Sequence, residues 1–178
     1  MILRTVLIVL LALLTGCTGP SVSDYAGNRP RLDPGQFFLG KTVAWGMFQD
    51  RHGRLLKRFR VDMDGQRIGQ ELVLTEHFHN SDGSTQLRVW HLQPTGQGQW
   101  RGLAADVVGA AHGVTAGNAL HWRYTLRLPV DAHVYQVQFD DWMFLLDEHR
   151  LLNRAVMSKF GVRLGEVTLF FHKVEPPS

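Results

Sequence analysis

From residue 37 to residue 174 apolar and polar side chains alternate with a period of two, and turn-forming residues break the alternation at regular intervals. The pattern is clearest at Leu120, Trp122, Tyr124, Leu126 and Leu128, which alternate with His121, Arg123, Thr125 and Arg127. Successive strand residues point to opposite faces, so such a segment buries one face and wets the other. Nine segments read this way: 41–49, 54–63, 70–79, 85–93, 99–108, 119–128, 133–145, 151–159 and 166–174. Between them lie Asp50-Arg51-His52-Gly53, Asp64-Gly65, Ser81-Asp82-Gly83 and Thr95-Gly96-Gln97-Gly98, where Gly and Asp favour hairpin turns. No long stretch with a period of 3.6 follows residue 37, and only 147–157 reads either way. The expectation is an all-β chain: an antiparallel up-and-down barrel of about eight or nine strands, with a two-sheet sandwich as the alternative. Closure removes the sheet edges that would otherwise pair with other chains. An interior of that size takes side chains or one small ligand. The Gly/Ala-rich stretch 109–118 is expected to loop over one end.

The first residues obey a different rule. Arg4 is followed by about ten apolar residues, enough for the core of a secretion leader and too few to span a bilayer as a helix. The run ends in Leu14-Thr15-Gly16-Cys17, which resembles the lipobox of bacterial lipoproteins. The resemblance implies a signal peptide over residues 1–16 and a lipidated Cys17 as the first mature residue. Two or three acyl chains would attach the chain permanently to a membrane. Residue 18 is Thr rather than Asp. By resemblance to the enterobacterial sorting rule, this implies the outer membrane, facing the periplasm. Residues 17–34, rich in Gly, Pro, Ser, Asn and Asp, read as a flexible tether, with one domain over 35–178.

Cleavage would leave 178 − 16 = 162 residues, the size of one domain, with a formal charge of 18 − 16 = +2 once Arg4 is lost. So mild a charge, without a basic run, gives no reason to expect nucleic acid. With the one cysteine acylated there is no disulfide, so stability must come from the core. No cofactor is expected beyond the covalent lipid on Cys17.

The body of the chain resembles a family of bacterial lipoproteins of uncharacterised function with a calycin-like, lipocalin-related barrel. The resemblance rests on Trp45-Gly46, Glu76-His77-Phe78, Asp82-Gly83, Arg88-Val89-Trp90, Ala104-Ala105-Asp106-Val107 with Gly109, and Gly117-Asn118-Ala119. It continues through Asp140-Asp141-Trp142-Met143, Asn153-Arg154 and Lys159-Phe160-Gly161. It implies a fold and carries no activity with it.

Candidate chemistry is sparse. His77 and His79 share a strand face and His91 stands on the neighbouring strand, but no carboxylate pattern or cysteine cluster joins them. They read as a polar face, with no metal expected. No Gly-x-Ser-x-Gly elbow is present, and no catalytic residue is assigned. Glu76 and Asp106 could act as acid and base in a cavity, or simply partner arginines such as Arg88. One of Asp140 and Asp141 must face inward, and a buried carboxylate demands a partner, for which Arg154 on the next strand is the candidate. Asp140, Asp141, Arg154, Glu76, Arg88 and Asp106 thus form the expected buried charge network or ligand contact. Trp45, Trp90, Trp122, Tyr124 and Trp142 are the expected cavity aromatics. Three functions fit: an outer-membrane-anchored module binding a small apolar or amphiphilic ligand, an envelope interaction protein with a filled barrel and a protein partner, or an enzyme using the cavity.

Overall fold

The computed structural model describes residues 19–175. The expected signal peptide over residues 1–16, the expected lipidation site Cys17 and Thr18 lie outside the described residues. Ten antiparallel strands follow one another: β1 (Gly40–Asp50), β2 (Leu55–Ile68), β3 (Glu71–Asn80), β4 (Thr85–Gly96), β5 (Gln99–Leu103), β6 (Ala111–Ala116), β7 (Ala119–Val130), β8 (His133–Leu145), β9 (Arg150–Lys159) and β10 (Val162–Lys173). Each strand pairs with the next, and β10 returns to β1 from Thr42↔Lys173 to Asp50↔Gly165. The sheet is therefore a closed up-and-down barrel with no free edge. The period-two residues of β7 face its interior as expected, with Leu120, Trp122 and Leu126 buried.

The tenth strand comes from the stretch expected to be a loop. β6 pairs with β5 through Trp100↔Gly113 and with β7 through Gly113↔Trp122. Gly113 is a spacer rather than a turn former, whereas Gly109 and Gly117, flanking the strand at φ +69° and +54°, do turn the chain. A Cβ on Gly113 would sit 2.2 Å from the Trp122 ring, and one on Gly102 of β5 would sit 2.6 Å from it. The indole occupies the volume that two neighbouring strands leave free. β5 accordingly stops at Leu103, short of the expected 108.

Asp64-Gly65, read as a turn, lies inside β2, and the chain reverses only at Gly69, where φ is +62°. Gly65 instead lets another backbone cross closely, since a Cβ there would lie 1.8 Å from the Phe38 carbonyl oxygen. The crossing segment is a helical turn, α1 (Pro34–Phe37), capped by the Asp33 carboxylate accepting from the Gly35 amide at 2.8 Å. Phe37 and Phe38 are buried, and Phe38 meets Phe171 edge-on at 5.7 Å. Lys173, at the end of β10, donates to the carbonyls of Gln36, Phe37 and Leu39 at 3.0, 2.8 and 2.7 Å. Its ammonium satisfies the free C-terminal carbonyls of α1 and pins the turn across one end of the barrel.

The flexible tether expected over 17–34 is corrected for its described part, which packs on the same end. A 3₁₀ turn, Val22–Tyr25, carries Tyr25 against Trp142 and Phe144, at 5.8 and 5.1 Å. The Leu32 amide donates to Gly117 at 2.8 Å, and the Leu32 side chain is buried. Tyr25 and Leu32 are isolated apolar residues in a polar stretch, too few for composition to register. This end is closed. The opposite end carries the β1–β2, β3–β4, β7–β8 and β9–β10 hairpins and the 104–110 crossing, and forms the mouth.

Candidate ligand-binding cavity

Inside the barrel is a cavity of about 350 Å³. Phe38, Leu74 and Trp100 line it towards the closed end, Trp90, Trp122 and Tyr124 at mid-depth, and Lys57, Asn80 and Gln86 at the mouth. Ala155 of β9 contributes a small side chain to the lining. The rings that are present brace one another. Trp90 meets Trp122 and Tyr124 edge-on at 5.9 and 5.5 Å, and Tyr124 stacks on Phe139 at 5.1 Å.

A polar cluster sits in this apolar wall. Glu76 on β3 lies opposite Arg88 on β4 in the strand register. The Arg88 guanidinium donates through Nε and Nη2 to Asp106 Oδ2, at 2.9 and 2.8 Å, while its Nη1 stands 3.8 Å from Glu76 Oε2. Asp106 reaches in from the crossing between β5 and β6. Farther round the wall, Asp141 on β8 is only 5% exposed and sits among Tyr124 of β7 and Asn153 of β9. Burial pushes the Glu76 carboxyl up to about 7, with Arg88 pulling it down and Asp106 adding to the rise. Burial likewise pushes Asp141 up to about 7, against hydrogen bonding from Asn153 and Tyr124. Glu76 Oε2, Asp106 Oδ1, Asp141 Oδ1 and Asn153 Oδ1 have no protein donor.

The sequence-derived network is thus brought together in part. Glu76, Arg88, Asp106 and Asp141 share the interior, whereas Asp140 and Arg154 do not. Strand parity decides this. Asp141 faces inward in register with Ala155, so Arg154, in register with Trp142, faces outward. Arg154 is 61% exposed and pairs with Glu166 at 2.7 Å, not with either aspartate. Asp140, also outside, bonds His121 at 3.0 Å. Of the five expected cavity aromatics, Trp90, Trp122 and Tyr124 line the cavity. Trp45 does not: Thr42 and Ala44 take the inward parity of β1, leaving its indole outside and 50% exposed. Trp142 shares Arg154's outward parity and stacks on His121 at 4.2 Å beneath Tyr25.

Asn153 is the residue that sequence reasoning passed over. It follows the same parity as Asp141, and the register of the β8–β9 hairpin would have revealed it. Among the described residues no group of three or more His, Cys, Asp or Glu could hold a metal ion. His79 pairs with Asp62 at 3.2 Å and His91 with Glu71, all on the outer surface.

Closed antiparallel strands, a helical plug at one end and a cavity open at the other define a calycin-type barrel. The chain belongs to the family described as protein of unknown function (DUF3833), whose profile matches residues 11–173. No functionally curated protein matches it in sequence. Among solved structures it is similar to the S-type phycobiliprotein lyase CPES from Guillardia theta, at 7% identity and a TM-score of 0.62, over 89% of this chain and 100% of that one. It is also similar to a protein of unknown function from the DUF3598 family of Nostoc punctiforme, at 14% identity and a TM-score of 0.60, over 88% of this chain and 53% of that one. At such identities the likeness is one of fold.

Proposed function

We propose that this protein is a lipid-anchored binding module of the bacterial outer membrane that holds a small apolar or amphiphilic molecule in its barrel. The cavity carries the reading. A barrel filled by its own side chains would favour an interaction protein, whereas these walls leave about 350 Å³ lined mainly by Phe, Trp, Leu and Met. The shared fold with a phycobiliprotein lyase is compatible with an occupied barrel.

Mass spectrometry of native extracts of the purified chain should find a co-purifying small molecule. N-phenyl-1-naphthylamine, a neutral apolar probe, should bind saturably at one site and quench tryptophan fluorescence. A folded chain that neither carries a ligand nor binds this probe would move the reading to a protein partner. The anchor has its own test, because Cys17→Ala should abolish palmitate labelling and leave the precursor uncleaved. A mutant that still labels and fractionates with membranes would refute the lipobox reading.

A further inference from the structure

We infer that the cavity selects amphiphiles whose head is a protonated amine or another N–H-bearing cationic nitrogen, seated against Asp141, Glu76 and Asn153. The inference deepens the ligand-binding reading and rests on it.

Three observations carry it. The unpartnered polar atoms on the cavity wall are Glu76 Oε2, Asp141 Oδ1 and Asn153 Oδ1, all acceptors, with Asp106 Oδ1 a further acceptor beside them. Asp141 and Asn153 are 5% and 1% exposed, so bulk water is not their natural partner. Asn153 directs its amide nitrogen to the Trp142 carbonyl at 3.4 Å, and its amide oxygen is buried without a donor.

Charge points the same way. Among the described residues that line the cavity, Arg88 is the one cation at mid-depth, and it is engaged through two of its nitrogens by Asp106. Lys57 stands at the mouth and pairs with Asp82 at 3.3 Å. Three carboxylates therefore share one guanidinium. A ligand carboxylate would add like charge to this wall and find Arg88 occupied. A hydroxyl supplies one donor, whereas an ammonium supplies several and a compensating charge. The aromatic faces of Trp90, Trp122 and Tyr124 around the site suit a cation equally.

The comparison requires ligands that differ only in the head. n-Octylamine, n-octanol and n-octanoate are titrated against the full chain in phosphatidylcholine nanodiscs, read by displacement of N-phenyl-1-naphthylamine. Octylamine should bind at least about tenfold tighter than the other two. The groups acting on Asp141 are Asn153, Arg88 and Tyr124, with Asp140 behind it on the outer face, and Glu76 and Asp106 act in turn on Tyr124. Because Asp141 and Glu76 ionise as pH rises, the amine-to-alcohol ratio should climb from pH about 5 to about 8. Asp141→Asn, confirmed folded by circular dichroism, should bring that ratio to within about twofold of unity. Glu76→Gln provides the same reading should the first variant fail to fold. Equal binding of all three compounds, or a preference for octanoate, would overturn the inference and leave the cavity's role intact. Failure of the folded chain to bind the probe or any of the three would overturn the ligand reading and the inference with it.

Discussion

Asp141 ties stability to pH with a sign opposite to that of a surface carboxylate. Its folded pKa, about 7, lies above its ordinary value of 3.8, so over that interval the folded chain holds a proton that the unfolded chain has lost. Stability is then fully present below pH about 4, falls as pH rises towards about 7, and levels off above. The loss is a few kcal/mol at most, at about 1.4 kcal/mol per unit, and Glu76 contributes in the same direction. Urea denaturation at pH 4.5 and 7.5 should show the unliganded protein weaker at the higher pH, and Asp141→Asn should shrink the difference. Arg154 is the contrast. Its pair with Glu166 is exposed on the arginine side, so Arg154→Ala should cost less than about 1 kcal/mol; a loss of 3 kcal/mol would contradict its outward placement. The sequence made it certain that one of two adjacent aspartates points inward. It could not say which, nor that Asn153 rather than Arg154 shares its face, because hairpin register is set by turn geometry that composition does not reveal.

At the level of elements, β6 shows how a residue type can carry two physical meanings. Glycine marks turns when φ must be positive, as at Gly69 and Gly161, and marks close packing when a neighbour needs the space, as at Gly65, Gly102 and Gly113. The expected loop over 109–118 took the first meaning throughout, which holds at Gly109 and Gly117, while the second holds at Gly113 between them. The large residue responsible, Trp122, lies on a different strand, so a local window could not connect the two. The Trp122 ring cannot retreat, since Trp90 braces it from the other side. Gly113→Ala should therefore destabilise by about 1–3 kcal/mol, the range for overpacking a core. Gly27→Ala, where an added Cβ meets nothing within 4 Å, should be near neutral. Thermal melts of the two variants make the comparison, and equal effects would mean that the ring has room to move. β7, by contrast, was legible throughout, because its alternation is unbroken and its five inward residues all reach the cavity.

The whole molecule has two unlike ends, and its closure follows from a count that the nine segments read in the sequence missed by one: an even number of sequential antiparallel strands, here ten, brings the last beside the first in the right direction. What the sequence did not show was that the segment ahead of β1 returns to seal one of those ends. The described chain begins at Gly19, two residues before the Ser21 that caps the 3₁₀ turn lying on that sealed end. If Cys17 bears the lipid as proposed, only one residue of sequence separates the anchor from Gly19. With the anchor and the ligand reading both as proposed, the barrel would be tethered by its sealed end, and a ligand would reach the mouth from the side away from the anchoring leaflet. Exchange would then cross a gap. The mouth is dressed for such an encounter, with Leu56, Val134 and Phe160 exposed at its hairpins, Phe160 to 90%. Delivery from vesicle-anchored protein to acceptor vesicles should therefore be collisional, its rate rising in proportion to acceptor concentration, and Phe160→Ser should slow it. A rate independent of acceptors would mean that cargo leaves through water alone.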